Sequence, residues 1–109
     1  MAYDERVAER VRETLSGHAG ISEQRSFGGI SFLLNGNMSC GVLNDELVVR
    51  VGPDAYDEAV GQPHARPMDF TGRPMRGWVY VATDGFSEDA DLETWVALGI
   101  EFASSLPAK

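Results

Sequence analysis

The chain has 109 residues, 43% hydrophobic and 24% charged, which is the composition of one folded domain over 1–109 rather than of a disordered chain. Seventeen acids against nine bases give a net charge of −8, which disfavours direct binding to nucleic acid or anionic lipid, since both rest on cationic contacts with phosphate. The single cysteine, Cys40, excludes an internal disulfide and a thiolate zinc site, and no apolar run approaches the roughly 18 residues of a membrane span. The charged start Met1-Ala2-Tyr3-Asp4-Glu5-Arg6 leads into no signal-peptide core, so a cytoplasmic setting is expected. In that setting the sequon Asn37-Met38-Ser39 is a chance match.

Residues 3–16 have helical periodicity: Val7, Val11 and Leu15 form a stripe opposite Glu5, Arg6, Glu9, Arg10, Arg12 and Glu13. Asp4 suits the N-cap and Gly17 the stop. From 23 to 51 the period changes. The pair Asn35-Gly36 between apolar runs predicts a type I′ hairpin, Asn44-Asp45 a second turn, and the whole a three-strand antiparallel meander. Gly28-Gly29, set inside a strand pattern, predicts a bulge or a close backbone approach. Pro53 opens a short helix over 54–60, and 61–67 reads as a proline-stiffened loop. A second hairpin follows, with its turn at Thr71-Gly72-Arg73-Pro74 and its return strand through Trp78-Val79-Tyr80-Val81. The last helix runs from Glu88 or Asp91 to Ser104, with Leu92, Trp95, Val96, Gly99, Phe102, Ala103 and Leu106 on one stripe. The predicted order is α-β-β-β-α-β-β-α, an α+β fold of two layers with an antiparallel sheet of about five strands.

Four segments carry a family resemblance: Arg25-Ser26-Phe27-Gly28-Gly29-Ile30-Ser31-Phe32, the hairpin Asn35-Gly36-Asn37-Met38, the strand Glu46-Leu47-Val48-Val49-Arg50-Val51, and Gly72 through Val81. Followed by a helix bearing Trp95, they resemble the N-terminal domain of the TfoX/Sxy family, over about residues 5–107. Ser26 stands where the family usually has Met, and Ile30 where it has an aromatic, so the chain is a divergent member. The resemblance implies a fold similar to that of bacterial secretion chaperones, in which association through the sheet or a helix, a homodimer included, is common. Full-length TfoX/Sxy proteins regulate natural competence genes and carry a second, helical C-terminal domain. This chain stops just past its final helix, which makes a stand-alone, single-domain member the expectation. The resemblance brings no catalytic residues.

Read for chemistry, the residues offer one candidate patch. His64, Arg66, Arg73 and Arg76 fall around the second hairpin, with Arg25 as an outlying fifth member, and forked arginine contacts bind carboxylates and phosphates. The simpler account is salt bridging within an acid-rich chain. Convergence of these side chains around a cleft would favour a ligand site, and scatter would argue against one. Cys40, mid-strand between Ser39 and Gly41, reads as a structural thiol, and two histidines without ligand spacing make no metal site. The run Asp84, Glu88, Asp89, Asp91, Glu93 complements a helix N-terminus and lacks the order of a calcium loop. The expected function is a non-enzymatic regulatory or protein-interaction module without cofactor, with an unidentified protein partner. The competing readings are an anionic-ligand protein or enzyme using the arginine patch, and a transcription-associated nucleic-acid binder.

Overall fold

The structure is a computed structural model and describes residues 3–26, 28–68 and 76–108. In chain order it holds α1 (Glu5–Thr14), β1 (Ile21–Ser26), β2 (Gly29–Leu34), β3 (Asn37–Leu43), β4 (Glu46–Arg50), α2 (Tyr56–Val60), β5 (Ala65–Pro67), β6 (Trp78–Val81) and α3 (Asp89–Ser104). The strands form one antiparallel sheet in the order β1-β2-β3-β4-β6-β5. The α+β class and the antiparallel sheet are as expected, with one strand more than the predicted order contains.

That extra strand is β1, Ile21-Ser22-Glu23-Gln24-Arg25-Ser26, paired to β2 from Ile21↔Leu34 to Ser26↔Gly29. Its residues are mostly polar and it lies at the sheet edge, so it lacks the alternation that marks a half-buried strand. The glycine pair straddles the start of a strand and makes the close backbone approach expected of it rather than a bulge, since a Cβ on Gly29 would lie 2.6 Å from the Val42 carbonyl oxygen. Gly28, at φ 77°, lies in the connection between β1 and β2, and β2 begins at Gly29. The bulge lies instead one hairpin further on, where the register shifts between Phe32 and Leu33, and Ser39 is the added residue on β3. The Asn35-Gly36 turn forms as predicted, both residues at positive φ (51° and 85°), between Leu34 and its partner Asn37.

The segment read as a loop before the second hairpin is partly strand. Ala65, Arg66 and Pro67 pair with Val81, Tyr80 and Val79. Pro67 is tolerated there because β5 is the other sheet edge. The predicted turn Thr71-Gly72-Arg73-Pro74 lies outside the described residues.

All three helices pack on one face of the sheet. Ile30, Phe32, Cys40, Val42, Leu47, Val49, Val79 and Val81 point into it, and Val7, Val11, Leu15, Tyr56, Ala59, Leu92, Trp95 and Val96 meet them from the helices. Burying such side chains contributes about 1.5–3 kcal/mol each, so this layer dominates the stability. The Asp4 carboxylate caps α1 by accepting from the Arg6 N–H at 2.8 Å. Arg10 ties α1 to the start of α3: its guanidinium donates to the carbonyl of Phe86 at 2.9 Å and pairs with Asp89 at 3.2 Å. Asn37, the asparagine of the sequon, is buried and donates to the carbonyl of Pro107 at 2.9 Å. The opposite face carries a smaller cluster of Val48, Met68 and Tyr80, flanked by Met38, Leu43 and Trp78.

Candidate functional site

The described arginines of the patch lie on different edges and faces of the sheet. Arg25 is on β1 and Arg66 on β5, the two edges of a six-strand sheet. Five inter-strand gaps put those edges roughly 24 Å apart. Arg66 lies across the ring of Tyr80 at 4.6 Å and makes a forked pair with Glu46, one arm at 2.6 Å. Arg76 turns to the helical layer, over the ring of Tyr56 at 5.3 Å and against Asp57 at 3.4 Å. His64 is exposed at φ 69°, and its carbonyl accepts from the Ala82 N–H at 2.9 Å, so this position serves the join of β5 to β6. Arg73 lies outside the described residues. The described arginines of the patch thus stand apart, and both Arg66 and Arg76 have a carboxylate partner, as the salt-bridging account expects.

Cys40 is fully buried on the core face of β3, with the Ser39 hydroxyl 3.8 Å from its sulfur. Burial pushes its thiol up to about 12 against a small opposing effect of the Ser39 hydroxyl, so it holds no thiolate near neutrality. Among the described residues no group of three or more His, Cys, Asp or Glu is arranged to hold a metal ion, and no helix is long and apolar enough to cross a membrane.

Among the described residues a concave surface lies elsewhere, between α3 and the segment 51–62 that contains α2. One hollow of about 340 Å³ is lined by Ala55, Glu58, Ala59, Gln62, Asp91, Thr94, Trp95 and Leu98. A second, of about 310 Å³, is lined by residues 51–55 together with Leu98, Glu101, Phe102 and Ser105. Ala55 and Leu98 belong to both, so the two hollows adjoin along α3, and together they are called the trough below. Its α3 wall is Asp91, Thr94, Trp95, Leu98, Glu101, Phe102 and Ser105, a spacing of three and four that keeps all seven on one helix face. From Asp91 to Ser105 that wall runs about 21 Å at the helical rise per residue.

Local sequence explains the shape. Gly99 lets α3 settle onto the β3 bulge, because a Cβ there would lie 2.2 Å from the Ser39 carbonyl oxygen. Gly52, at φ 85°, leaves room for the Phe102 ring, which a Cβ would meet at 2.3 Å. The Gly77 carbonyl fixes that bend by accepting from the N–H groups of Val51 and Gly52, at 2.8 and 3.1 Å. With Leu92, Val96 and Ala103 facing the sheet, the neighbouring stripe is left toward α2. The predicted stripe includes Trp95 and Phe102 but not Leu98, Asp91 or Glu101. Spacing alone assigns the buried side of a helix, and α2 makes a second side concave.

The trough has an apolar floor and an acidic rim. Ala55, Trp95, Leu98 and Phe102 form the floor, and Asp54, Glu58, Asp91 and Glu101 supply four carboxylates. No Arg, Lys or His lines it among the described residues. Arg50 sits at one end, 5.1 Å from the Phe102 ring and 5.3 Å from that of Trp78, without lining the trough.

Comparison with curated proteins and with solved structures found no match to the chain. The TfoX N-terminal domain family matches residues 13–103, a stretch that runs from the end of α1 almost to the end of α3 and includes the whole sheet. With the match covering nearly its full length, the chain belongs to the TfoX N-terminal domain family.

Proposed function

We propose that this domain is a non-enzymatic protein-interaction module with a regulatory role, and that the α2–α3 trough is its docking surface. The observation that carries the reading is the trough: two adjoining hollows with apolar floors along α3, on the outer side of an otherwise packed helical layer. Its lining contains no cysteine, lysine or histidine among the described residues to activate the Thr94 or Ser105 hydroxyl, and the buried Cys40 thiol is protonated at neutral pH. Family membership is compatible with a link to gene regulation of the kind seen for TfoX/Sxy proteins, and the net charge of −8 favours a protein partner over DNA.

The test is site-specific photo-crosslinking in the native cell, with the crosslinking side chain at Leu98 and, as a control, at the exposed Ser16. The expected result is a discrete protein adduct from position 98 that position 16 does not give. No adduct, or the same adducts from both positions, overturns the trough as the docking surface.

A homodimer through the opposite sheet face is a second reading, favoured by the partly exposed Met38, Leu43 and Trp78 that flank the buried Val48, Met68 and Tyr80 on a face where none of the described helices packs. Light scattering tests it: twice the 11.9 kDa chain mass, halved by Trp78→Glu, supports the dimer, and a monomer at all concentrations removes it.

A further inference from the structure

We infer that the occupant of the α2–α3 trough is a cationic amphipathic helix of a partner protein. The inference rests on the docking reading above and adds the chemistry of the partner. One wall is α3, the other is residues 51–55 with Glu58, Ala59 and Gln62, and neither edge strand of the sheet, β1 or β5, lines the trough, so an extended peptide finds no strand edge to pair with there. An extended peptide would therefore lay unpaired N–H and C=O groups over an apolar floor. A helix brings its own backbone bonds, and it needs only an apolar stripe to set against Trp95, Leu98, Phe102 and Ala55. A wall of about 21 Å matches about fourteen helical residues.

Charge selects the sign of the partner. Asp54, Glu58, Asp91 and Glu101 line the trough, and none of the four is in an ion pair among the described residues. Arg10, Arg12, Arg66 and Arg76 are instead paired with Asp89, with Glu9 and Glu23, with Glu46 and with Asp57, all away from the trough lining. Carboxylates flanking an apolar strip attract lysine and arginine set beside an apolar stripe. They repel an acidic helix, and they repel nucleic acid more strongly still.

Fluorescence anisotropy on the full chain tests this with labelled helical peptides of about fourteen residues, sharing a leucine face and carrying Lys, Gln or Glu on the polar face. The Lys peptide is expected to bind about tenfold or more tighter than the Glu peptide, and to weaken as NaCl rises from about 20 to about 200 mM. Glu58→Gln, Asp91→Asn and Glu101→Gln together should cost about tenfold. A control of equal charge on other exposed sites, Glu5→Gln, Glu13→Gln and Asp84→Asn, should cost less than about twofold. Equal losses from the two triples would mean attraction by net charge alone and would overturn the inference. If the Gln peptide binds as well as the Lys peptide and Leu98→Arg removes both, the trough remains a docking surface but its partner is not cationic. If no peptide binds, or if binding survives both Leu98→Arg and the milder Leu98→Ala, docking at the trough fails, and the inference fails with it. Circular dichroism confirms that each variant is folded.

Discussion

Cys40 shows how burial sets the behaviour of a single side chain. Its thiol is held protonated up to about 12, against an ordinary value of 9.0, because the core does not solvate a thiolate. The folded chain keeps this proton at pH values where the unfolded chain has released it. Stability from this group is therefore intact below pH 9 and declines as pH rises from about 9 toward 12, by at most about 1.4 kcal/mol per pH unit. Alkylation by iodoacetamide near pH 8 should proceed only at the rate of global unfolding and become fast in denaturant; rapid labelling of the folded protein would contradict the buried placement. Gly99 gives a second residue-scale expectation, in which two opposing effects have known sizes. Alanine in a helix gains about 1 kcal/mol over glycine, but the added Cβ would lie 2.2 Å from the Ser39 carbonyl, a backbone atom that cannot move cheaply. Overpacking wins, so Gly99→Ala should destabilise by about 1–2 kcal/mol net in urea unfolding. At Gly17 nothing lies within 4 Å of the added Cβ, and Gly17→Ala should be near neutral.

Among the elements, α1 and the first hairpin had different sequence signals. The Val7-Val11-Leu15 stripe and the Asp4 cap were readable because an amphipathic helix between water and core imposes a period of 3.6. Removing the cap with Asp4→Ala should cost about 1 kcal/mol and lower the melting temperature, since the Arg6 N–H loses its acceptor. The Asn35-Gly36 turn was equally readable, because few residues other than Asn and Gly accept positive φ at both positions. β1 was not readable, because an edge strand with mostly exposed side chains writes no alternation into the sequence. Once its pairing with β2 is known, Gly28 becomes a turn residue with φ at 77°. Gly28→Ala should then cost about 1–2 kcal/mol by denaturant unfolding, and a neutral result would argue against this hairpin.

For the whole molecule, the charge of −8 is distributed unevenly. Four described arginines are paired with acids, while the trough keeps four carboxylates outside the described ion pairs. Self-repulsion of this kind destabilises the compact state and is screened by salt. Raising the ionic strength from about 10 to about 150 mM should lift the melting temperature by about 2–4 °C in calorimetry. A fall would mean that the exposed pairs, Arg12 with Glu23 among them, outweigh the repulsion. That pair holds the Glu23 carboxyl below its usual range, chiefly through the Arg12 hydrogen bond, but it is more than a third exposed and worth at most about 1 kcal/mol.

The sequence by itself determined the α+β class, the family, the helix stripes, the Asn35-Gly36 hairpin and the side-chain alternation of Trp78-Val79-Tyr80-Val81. Each of these is local, set by a residue's own backbone preferences or by the period of one element against water. Only the tertiary structure decided that Arg25 and Arg66 lie at opposite edges of the sheet, that Arg66 and Arg76 each meet an acid distant in the chain, and that α2 and α3 leave a trough between them. Those facts depend on the order in which strands pair and on which helix faces meet. A close approach such as Gly99 on Ser39 leaves only a glycine in the sequence, and the surface it shapes is made jointly by segments tens of residues apart.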